Sequence, residues 1–128
     1  MILDSSAIVA IVLKEPGHER LIERIADDHE PAVGAPTLAE TGIVLVARLG
    51  PRGQTLLARL VQGLIAVVPL GEEHWPVAVQ AFATFGKGRH PAALNFGDCL
   101  TYAVARVADE PLLCVGEDFA RTDLALVR

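Results

Sequence analysis

The sequence predicts an α/β domain of three layers, in which a short parallel sheet is flanked by helices on both faces. Short, continuously apolar segments alternate along the chain with longer segments whose apolar residues recur at helical spacing. Strands that are buried on both faces, as in a parallel sheet, have this uninterrupted apolar character. No linker, repeat or low-complexity tract divides the chain, so we expect a single domain over residues 1–128.

Apolar patterns and helix-breaking residues mark the first strand and the first two helices. Residues 1–3 predict a short strand, and helical spacing over 6–13 ends at the Pro16-Gly17 pair. Apolar and charged side chains then alternate at helical period over 18–28. This second pattern predicts an amphipathic helix with one face on the core.

Proline residues mark the boundaries of the next elements. Pro31 ends the second helix and precedes a brief apolar strand at residues 32–34. The next helix is expected over 36–49, because its proline falls in the first turn, where no backbone N–H is needed. After the Gly50-Pro51 pair, helical spacing predicts a further helix over 53–62.

The second half of the chain continues the alternation of strands and helices. Residues 65–70 (IAVVPL) are the clearest candidate for a buried strand. A helix over 72–85 tolerates Pro76 because that residue lies near its start. The loop GKGRHPAALN follows. The remaining predicted elements are a helix over 96–108 and strands over 111–115 and 124–127.

The composition indicates an ordered domain with more apolar surface than it can bury alone. Hydrophobic residues make up 52% of the chain, and the mean hydropathy of +0.40 is high for a small domain, so part of that surface is expected to meet another subunit or a partner. No apolar run is long enough for a membrane span, and two isolated cysteines are typical of the cytoplasm. The net charge of −5 argues against a surface around which nucleic acid wraps, but this charge is compatible with a local basic rim around an acidic site.

Acidic residues lie where a parallel sheet places its ligand sites. Asp4 directly follows the first strand, and Glu117 and Asp118 follow the LLCV strand, so all three fall at the carboxyl edge of the sheet. Glu40 and Asp98 lie on helices whose neighbouring positions are apolar. Taken singly, Asp4 has an alternative role as the cap of the helix after it, and Glu40 and Asp98 have an alternative role as partners of a helix dipole.

Taken together, three or four converging carboxylates favour a metal site. Close carboxylates repel one another unless a cation lies between them. A set of oxygen ligands without nearby histidine or cysteine selects Mg²⁺ or Mn²⁺ over zinc. Because magnesium held by few carboxylates keeps several waters, such a site suits a phosphate-bearing substrate.

Two other features have competing interpretations. Ser5 and Ser6 could act as nucleophiles, but no histidine lies at a suitable place, and a helix cap or a supporting hydrogen bond is favoured. The GKGRH segment lacks the upstream glycine and the Ser/Thr of a phosphate-binding P-loop. We interpret Lys87, Arg89 and His90 as a mobile basic loop that either holds a nucleic-acid backbone or is simply solvated.

The order and context of these acids resemble the PIN-domain ribonucleases, and within them the VapC toxins of bacterial toxin–antitoxin pairs. The matching stretches are ILDSSAIVAI, TLAETGIVL, LNFGDCLTYAVA and LLCVGEDFARTDL, which span nearly the whole chain in the family's order. The resemblance implies a parallel sheet flanked by helices, a metal-dependent RNA endonuclease, a cognate VapB-type antitoxin and a homodimer.

The resemblance also implies roles for individual residues. Asp4, Glu40 and Asp98 match the three main acids of the family's pocket, with Asp4 and Asp98 as metal ligands and Glu40 orienting or deprotonating water. Ser6 matches the small hydroxyl residue that supports the first aspartate. The family's fourth acid is the departure, because Val115-Gly116-Glu117 replaces the usual Thr-x-Asp/Asn and Asp118 follows at once. Either Glu117 or Asp118 could supply it.

Two other functions compete with a ribonuclease. A phosphatase of the haloacid dehalogenase type would form an aspartyl-phosphate at Asp4, but such enzymes have a second aspartate two residues later, where this chain has Ser6. The other alternative is a non-catalytic domain that binds a partner through its apolar surface. The presence of all three main acids argues against that alternative.

Overall fold

The computed structural model describes residues 1–128 and contains one parallel sheet of four strands. In chain order these are β1 (Ile2–Leu3), β2 (Ala32–Gly34), β3 (Ala66–Val68) and β4 (Leu112–Leu113). Their order across the sheet is β3-β2-β1-β4, and Ile2 pairs with Ala32 on one side and with Leu112 on the other. The strand that precedes Asp4 is therefore an interior strand, next to the strand that precedes Glu117 and Asp118.

Six α-helices and a short 3₁₀ helix at Phe119–Arg121 complete the domain. The α-helices are α1 (Ser5–Val12), α2 (His18–Asp27), α3 (Ala35–Leu49), α4 (Pro51–Val61), α5 (His74–Phe85) and α6 (Phe96–Ala108). All six lie where the sequence predicts them, with ends moved by at most two residues. The helix α4 begins earlier than predicted because Pro51 occupies its first turn, where a proline is tolerated.

Alternate residues of the strands face two separate cores, which gives the domain its three layers. Ile2 and Leu112 pack with residues of α5 and α6 on one face of the sheet. Leu3 and Leu113 pack with residues of α1 to α4 on the other face. Successive side chains of a strand point to opposite faces, so even these two-residue strands contribute to both cores. The predicted α/β three-layer class is confirmed.

The prediction of a buried strand over residues 65–70 is wrong. The observed strand, β3, is shorter and lies at the edge of the sheet, with Ala66 exposed and Val67 46% exposed. An apolar run does not reveal the order of strands, and an edge strand has a neighbour on one flank only. Ile65, just before β3, is buried and supplies the apolar anchor.

The predicted last strand, over 124–127, forms only one bridge, between Leu112 and Leu126. Two backbone hydrogen bonds hold it: Leu112 N–H donates to Ala125 O at 2.9 Å, and Val127 N–H donates to Leu112 O at 2.8 Å. The strand predicted over 111–115 likewise shortens to Leu112–Leu113. Because β4 has only two residues, it offers a partner strand little to pair with.

None of the helices combines the length and the apolar character that a bilayer crossing requires.

Candidate active site

The carboxyl ends of β1 and β4 lie side by side and form the floor of the acidic site. Asp4 follows β1, and its backbone N–H donates to Leu113 O, in β4, at 2.9 Å. Asp4 is also the N-cap residue of α1 and is only 5% exposed. The structure therefore buries this carboxylate at the sheet edge where the sequence predicted a ligand site.

Ser6 holds the carboxylate of Asp4 in place. Asp4 Oδ2 accepts hydrogen bonds from the Ser6 backbone N–H at 3.1 Å and from the Ser6 hydroxyl at 2.6 Å. Ser6 Oγ in turn accepts a hydrogen bond from the Val115 N–H at 2.9 Å, which connects Asp4 to the segment after β4. A buried carboxylate is costly unless it is hydrogen-bonded, and these bonds offset part of that cost. Both hydrogen bonds from Ser6 are made to Asp4 Oδ2, so Asp4 Oδ1 is left for a further ligand.

The N-terminal cap of α6 positions Asp98. Asn95 Oδ1 accepts from the Asp98 N–H at 2.9 Å, and Asp98 Oδ2 accepts from the Asn95 N–H at 3.0 Å. This reciprocal pair is a capping box, which satisfies two backbone donors at the start of a helix. The capping alternative therefore holds for Asp4, which caps α1, while Asp98 completes the capping box whose N-cap residue is Asn95. Each uses Oδ2 for this purpose and has Oδ1 without a partner in the protein.

Glu40 reaches the same region from α3. The buried hydroxyls of Thr37, on α3, and Thr101, on α6, lie 3.0 Å apart and hydrogen-bond to each other. Thr37 lies about one turn before Glu40 and Thr101 about one turn after Asp98, so this bond fixes the two acid-bearing helices relative to each other. The exposed side chain of Glu40 ends against Gly97, in the first turn of α6.

Asp98 lies within reach of the charges of three other carboxylates. Burial raises the pKa of Asp98, and the charges of Asp4, Asp118 and Glu40 raise it further, although the hydrogen bond from the Asn95 N–H opposes the change. Repulsion between negative charges that share a site favours the protonated form in this way. The structure thus brings together the three main acids that the sequence singled out.

Two of these charges, those of Asp4 and Asp118, also act on Cys114, which directly follows β4. Burial, together with the charges of Asp4, Asp118 and Glu117, raises the pKa of this thiol to about 11. The thiol is therefore protonated at neutral pH and contributes no charge to the site. It also lies beside Asp4 without pairing with Cys99, since both cysteines are free.

The structure distinguishes the two candidates for the fourth acid. Both Glu117 and Asp118 are exposed and lie between β4 and the 3₁₀ helix. The charge of Asp118 contributes to the raised pKa of both Asp98 and Cys114, whereas that of Glu117 contributes to the raised pKa of Cys114 but not to that of Asp98. Asp118 is therefore the better placed of the two to join the acidic site.

The oxygen ligands of the acidic site are of the type that Mg²⁺ or Mn²⁺ prefers, but they do not form a closed cage. As the side chains lie, no three His, Cys, Asp or Glu residues form a set of metal ligands. Magnesium is commonly bound by one or two carboxylates and keeps several waters, so a closed cage is not needed. Asp4 and Asp98 each have an Oδ1 atom without a partner in the protein, and carboxylate oxygens of this kind are the ligands that Mg²⁺ and Mn²⁺ prefer.

The basic loop between α5 and α6 has a defined structure. Its backbone closes on itself, with the Lys87 N–H donating to Leu94 O at 3.0 Å. The guanidinium of Arg89 lies over the ring of Phe82, 5.7 Å from its centroid, and both Lys87 and Arg89 are exposed. His90 instead packs edge-on against Phe85 and accepts a hydrogen bond from the Ala92 N–H, so its role is structural.

A family model described as PIN domain matches residues 1–124 of the chain. The chain belongs to the PIN-domain family. Among relatives of this PIN domain, Ribonuclease VapC36 of Mycobacterium tuberculosis is 48% identical over 126 residues, which cover 97% of the chain and 91% of the relative. Ribonuclease VapC of Mycolicibacterium smegmatis is 41% identical over 128 residues, 99% of each protein. These similarities place the chain among the VapC ribonucleases.

Solved structures confirm the PIN fold. The sarcin-ricin loop cleaving toxin VapC20 of Mycobacterium tuberculosis superposes with a TM-score of 0.80 at 19% identity, over 99% of this chain and 98% of that one. VapBC2 from Rickettsia felis, bound to a DNA fragment from its promoter, gives 0.79 at 15% identity, over 99% and 96%. At these identities the likeness concerns the fold alone.

Sequence reasoning missed four residues that shape this PIN-domain site. The Asn95-x-x-Asp98 spacing is a recognisable cap signal and could have identified Asn95. Nothing in the local sequence signals that Thr37 bonds to Thr101 or that Gly97 faces Glu40, because these contacts join distant parts of the chain.

Proposed function

We propose that this VapC ribonuclease is an endoribonuclease toxin that hydrolyses RNA phosphodiester bonds with Mg²⁺ or Mn²⁺ as cofactor. The observation that carries this proposal is the convergence of Asp4, Glu40, Asp98 and Asp118 at one sheet edge, where the other three acids raise the pKa of Asp98. The family favours RNA hydrolysis over the aspartyl-phosphate chemistry of a phosphatase. A reducing cytoplasm, where RNA is accessible, agrees with the two free thiols.

Each acid has a role that its position suggests. Asp4 and Asp98 would hold the cation through the oxygens that their cap hydrogen bonds leave free. When bound, the cation supplies the positive charge that acidifies water and stabilises charge on the phosphoryl oxygens. Glu40, which is exposed and lies against Gly97, would orient the attacking water and take its proton. Asp118 would complete the acidic site.

Lys87 and Arg89 would hold the RNA backbone beside the acids. Arg89 covers Phe82, and Phe82 lines an apolar groove with Phe96, the residue before Gly97. Arg89 thus lies beside a groove that also contains Phe96, in the first turn of α6. Phosphate contacts position a nucleic acid without reading its sequence. The affinity of the Lys87→Ala/Arg89→Ala variant for a single-stranded RNA, compared at two salt concentrations, checks this role.

A VapB-type antitoxin is the proposed protein partner. The solved structures of the same fold include a toxin–antitoxin complex from Klebsiella pneumoniae. A guanidinium forms two parallel hydrogen bonds with a carboxylate and stays charged, so an antitoxin arginine could occupy the acidic site in place of the cation. Weaker inhibition at higher Mg²⁺ concentration is the result that supports this arrangement.

A homodimer is proposed from the apolar surface that the single chain leaves exposed. Ile43 is 72% and Val46 42% exposed on α3, and both line a groove of about 580 Å³ with Leu57 of α4. A two-fold dimer is the commonest way to cover such a surface. Light scattering at micromolar concentration, with Ile43→Asp as the disrupting variant, measures the assembly.

Removal of divalent cations is expected to stop RNA cleavage. The protein is stripped with EDTA and incubated with a labelled single-stranded RNA, alone and after addition of Mg²⁺ or Mn²⁺. Cleavage should return only with the cation, because the four carboxylates otherwise repel the phosphate. Full cleavage by the stripped protein would overturn the metal requirement. No cleavage under any of these conditions would favour the non-catalytic alternative.

Asp118→Asn is expected to lower the cleavage rate about tenfold or more, whereas Glu117→Gln should stay within about twofold of the unmodified protein. The reason is that, of these two residues, Asp118 is the one whose charge contributes to the raised pKa of Asp98. Initial rates at low and at saturating Mn²⁺ show whether the loss arises from cation binding. The reverse order of the two variants would assign the fourth acid to Glu117.

A further inference from the structure

Gly97 gives the carboxylate of Glu40 its place on α6. A Cβ atom built on Gly97 would lie 3.1 Å from Glu40 Cδ and 3.2 Å from Oε1, and it would overlap Oε2. Real Cβ atoms essentially never approach a neighbour as closely as that Oε2 contact demands. A residue with a side chain at position 97 would therefore force the Glu40 carboxylate to move.

The backbone does not explain why this residue is a glycine. Five glycines of the chain have the positive φ that favours glycine, and Gly97 is not among them. Apart from proline, glycine is the least favourable residue in a helix, and Gly97 lies in the first turn of α6. The neighbour that a side chain would meet is the end of Glu40, not the backbone of the fold. The remaining explanation for a glycine at position 97 is the space that it leaves for the Glu40 carboxylate.

We propose that Gly97 is a positioning residue for catalysis, which lets the Glu40 carboxylate rest on the first turn of α6 next to Asp98. This inference rests on the proposed function, because it assumes that Glu40 handles the attacking water. The N-terminal turn of a helix favours a negative charge, so a carboxylate that can approach it is held there electrostatically. The Thr37–Thr101 bond keeps α3 and α6 in register, so the carboxylate and the helix turn meet in one fixed arrangement.

Gly97→Ala is expected to lower kcat for RNA cleavage about 10- to 100-fold with little change in KM, since displacing a reacting group by about 1 Å has effects of this size. The melting temperature should stay equal or rise, because only the end of a flexible side chain must move and alanine favours the helix. A crystal structure of the variant should show the Glu40 carboxylate displaced from α6. Gly42→Ala is the matched control, because its Cβ would meet only Leu57 Cδ2, at 3.4 Å.

A double-mutant cycle separates positioning from a general effect on the fold. Gly97→Ala should lower the activity of Glu40→Gln by less than about twofold, because the group it positions has already lost its function. An equal loss in both backgrounds, or a kcat of Gly97→Ala within about twofold of the unmodified protein, would overturn the proposal.

Should Gly97→Ala prevent folding, Glu40→Ala/Gly97→Ala decides the matter, because truncating Glu40 removes the overlap. The double variant should then melt like Glu40→Ala, and failure to recover would show that another contact of Gly97 is responsible. If the unmodified protein cleaves no RNA with any cation, the proposed function fails. The crystal structure of Gly97→Ala would still decide whether Gly97 sets the position of Glu40.

Discussion

Asp4→Asn is expected to reduce RNA cleavage by roughly 100-fold or more while the domain stays folded. The amide oxygen of asparagine can accept the same hydrogen bonds from the Ser6 N–H and hydroxyl, and asparagine caps a helix as well as aspartate does. What the substitution removes is the negative charge at the most buried of the acids. The loss should therefore fall on cation binding and catalysis rather than on stability.

The rate constant for cleavage of a labelled RNA at saturating Mg²⁺, together with a thermal melt, measures both consequences. Ser6→Ala is the matched control: it keeps the charge of Asp4 but removes the hydroxyl that joins Asp4 to the Val115 N–H. The activity of Ser6→Ala should lie between that of Asp4→Asn and that of the unmodified protein. An Asp4→Asn protein that cleaves at a near-normal rate would exclude Asp4 from the catalytic set.

Asp98→Asn is expected to stabilise the metal-free protein at neutral pH, by an increase in Tm on the order of a few degrees, and to lose nearly all activity. The raised pKa of Asp98 means that the folded protein disfavours its ionised form. At pH values below the ordinary pKa of an aspartate, the protonated form of Asp98 makes its full contribution to the stability of the folded protein. That contribution disappears as the pH rises through the raised pKa. Asparagine is neutral throughout, and its amide oxygen can still accept from the Asn95 N–H.

Thermal melts of both proteins at two pH values, each with EDTA and with Mg²⁺, test this prediction. The advantage of Asp98→Asn should shrink as the pH falls, because the wild-type carboxyl then becomes protonated and its repulsion from Asp4, Asp118 and Glu40 fades. Added Mg²⁺ should stabilise the wild type more, since a ligand stabilises the state that binds it. A lower Tm for Asp98→Asn at neutral pH without metal would mean that its main role is to cap α6.

The helices could be predicted well from the sequence because the residues that begin or end a helix act on the chain next to them. Pro16-Gly17 and Gly50-Pro51 act on the chain next to them, and the helices end or begin there as predicted. The position of β3 at the edge of the sheet depends on which strands pair, and that is decided by packing across the whole domain. The short pairing of residues 124–127 depends in the same way on the length of β4.

The acids were predictable because each lies at the end of a strand or in an apolar helical context. The arrangement of the acids relative to one another was harder to predict. Asp4 caps α1 and Asp98 completes the capping box of α6, yet each keeps a free carboxylate oxygen, so the structural and the metal-binding interpretations that compete in the sequence coexist in the structure. The choice between Glu117 and Asp118 depends on distances to Asp98 that no spacing rule gives for exposed neighbouring residues.

The hydrogen bond between the Val115 N–H and Ser6 Oγ joins residues that lie 109 positions apart in the chain. Together with the bond from the Asp4 N–H to Leu113 O, it makes the geometry around Asp4 depend on β4 and on the segment that follows it. A nascent chain on the ribosome, or a fragment cut short before β4, has the first aspartate but not the strand that fixes it. The arrangement around Asp4 is therefore a property of the whole folded domain, and the first strand and helix cannot supply it by themselves, however well they form.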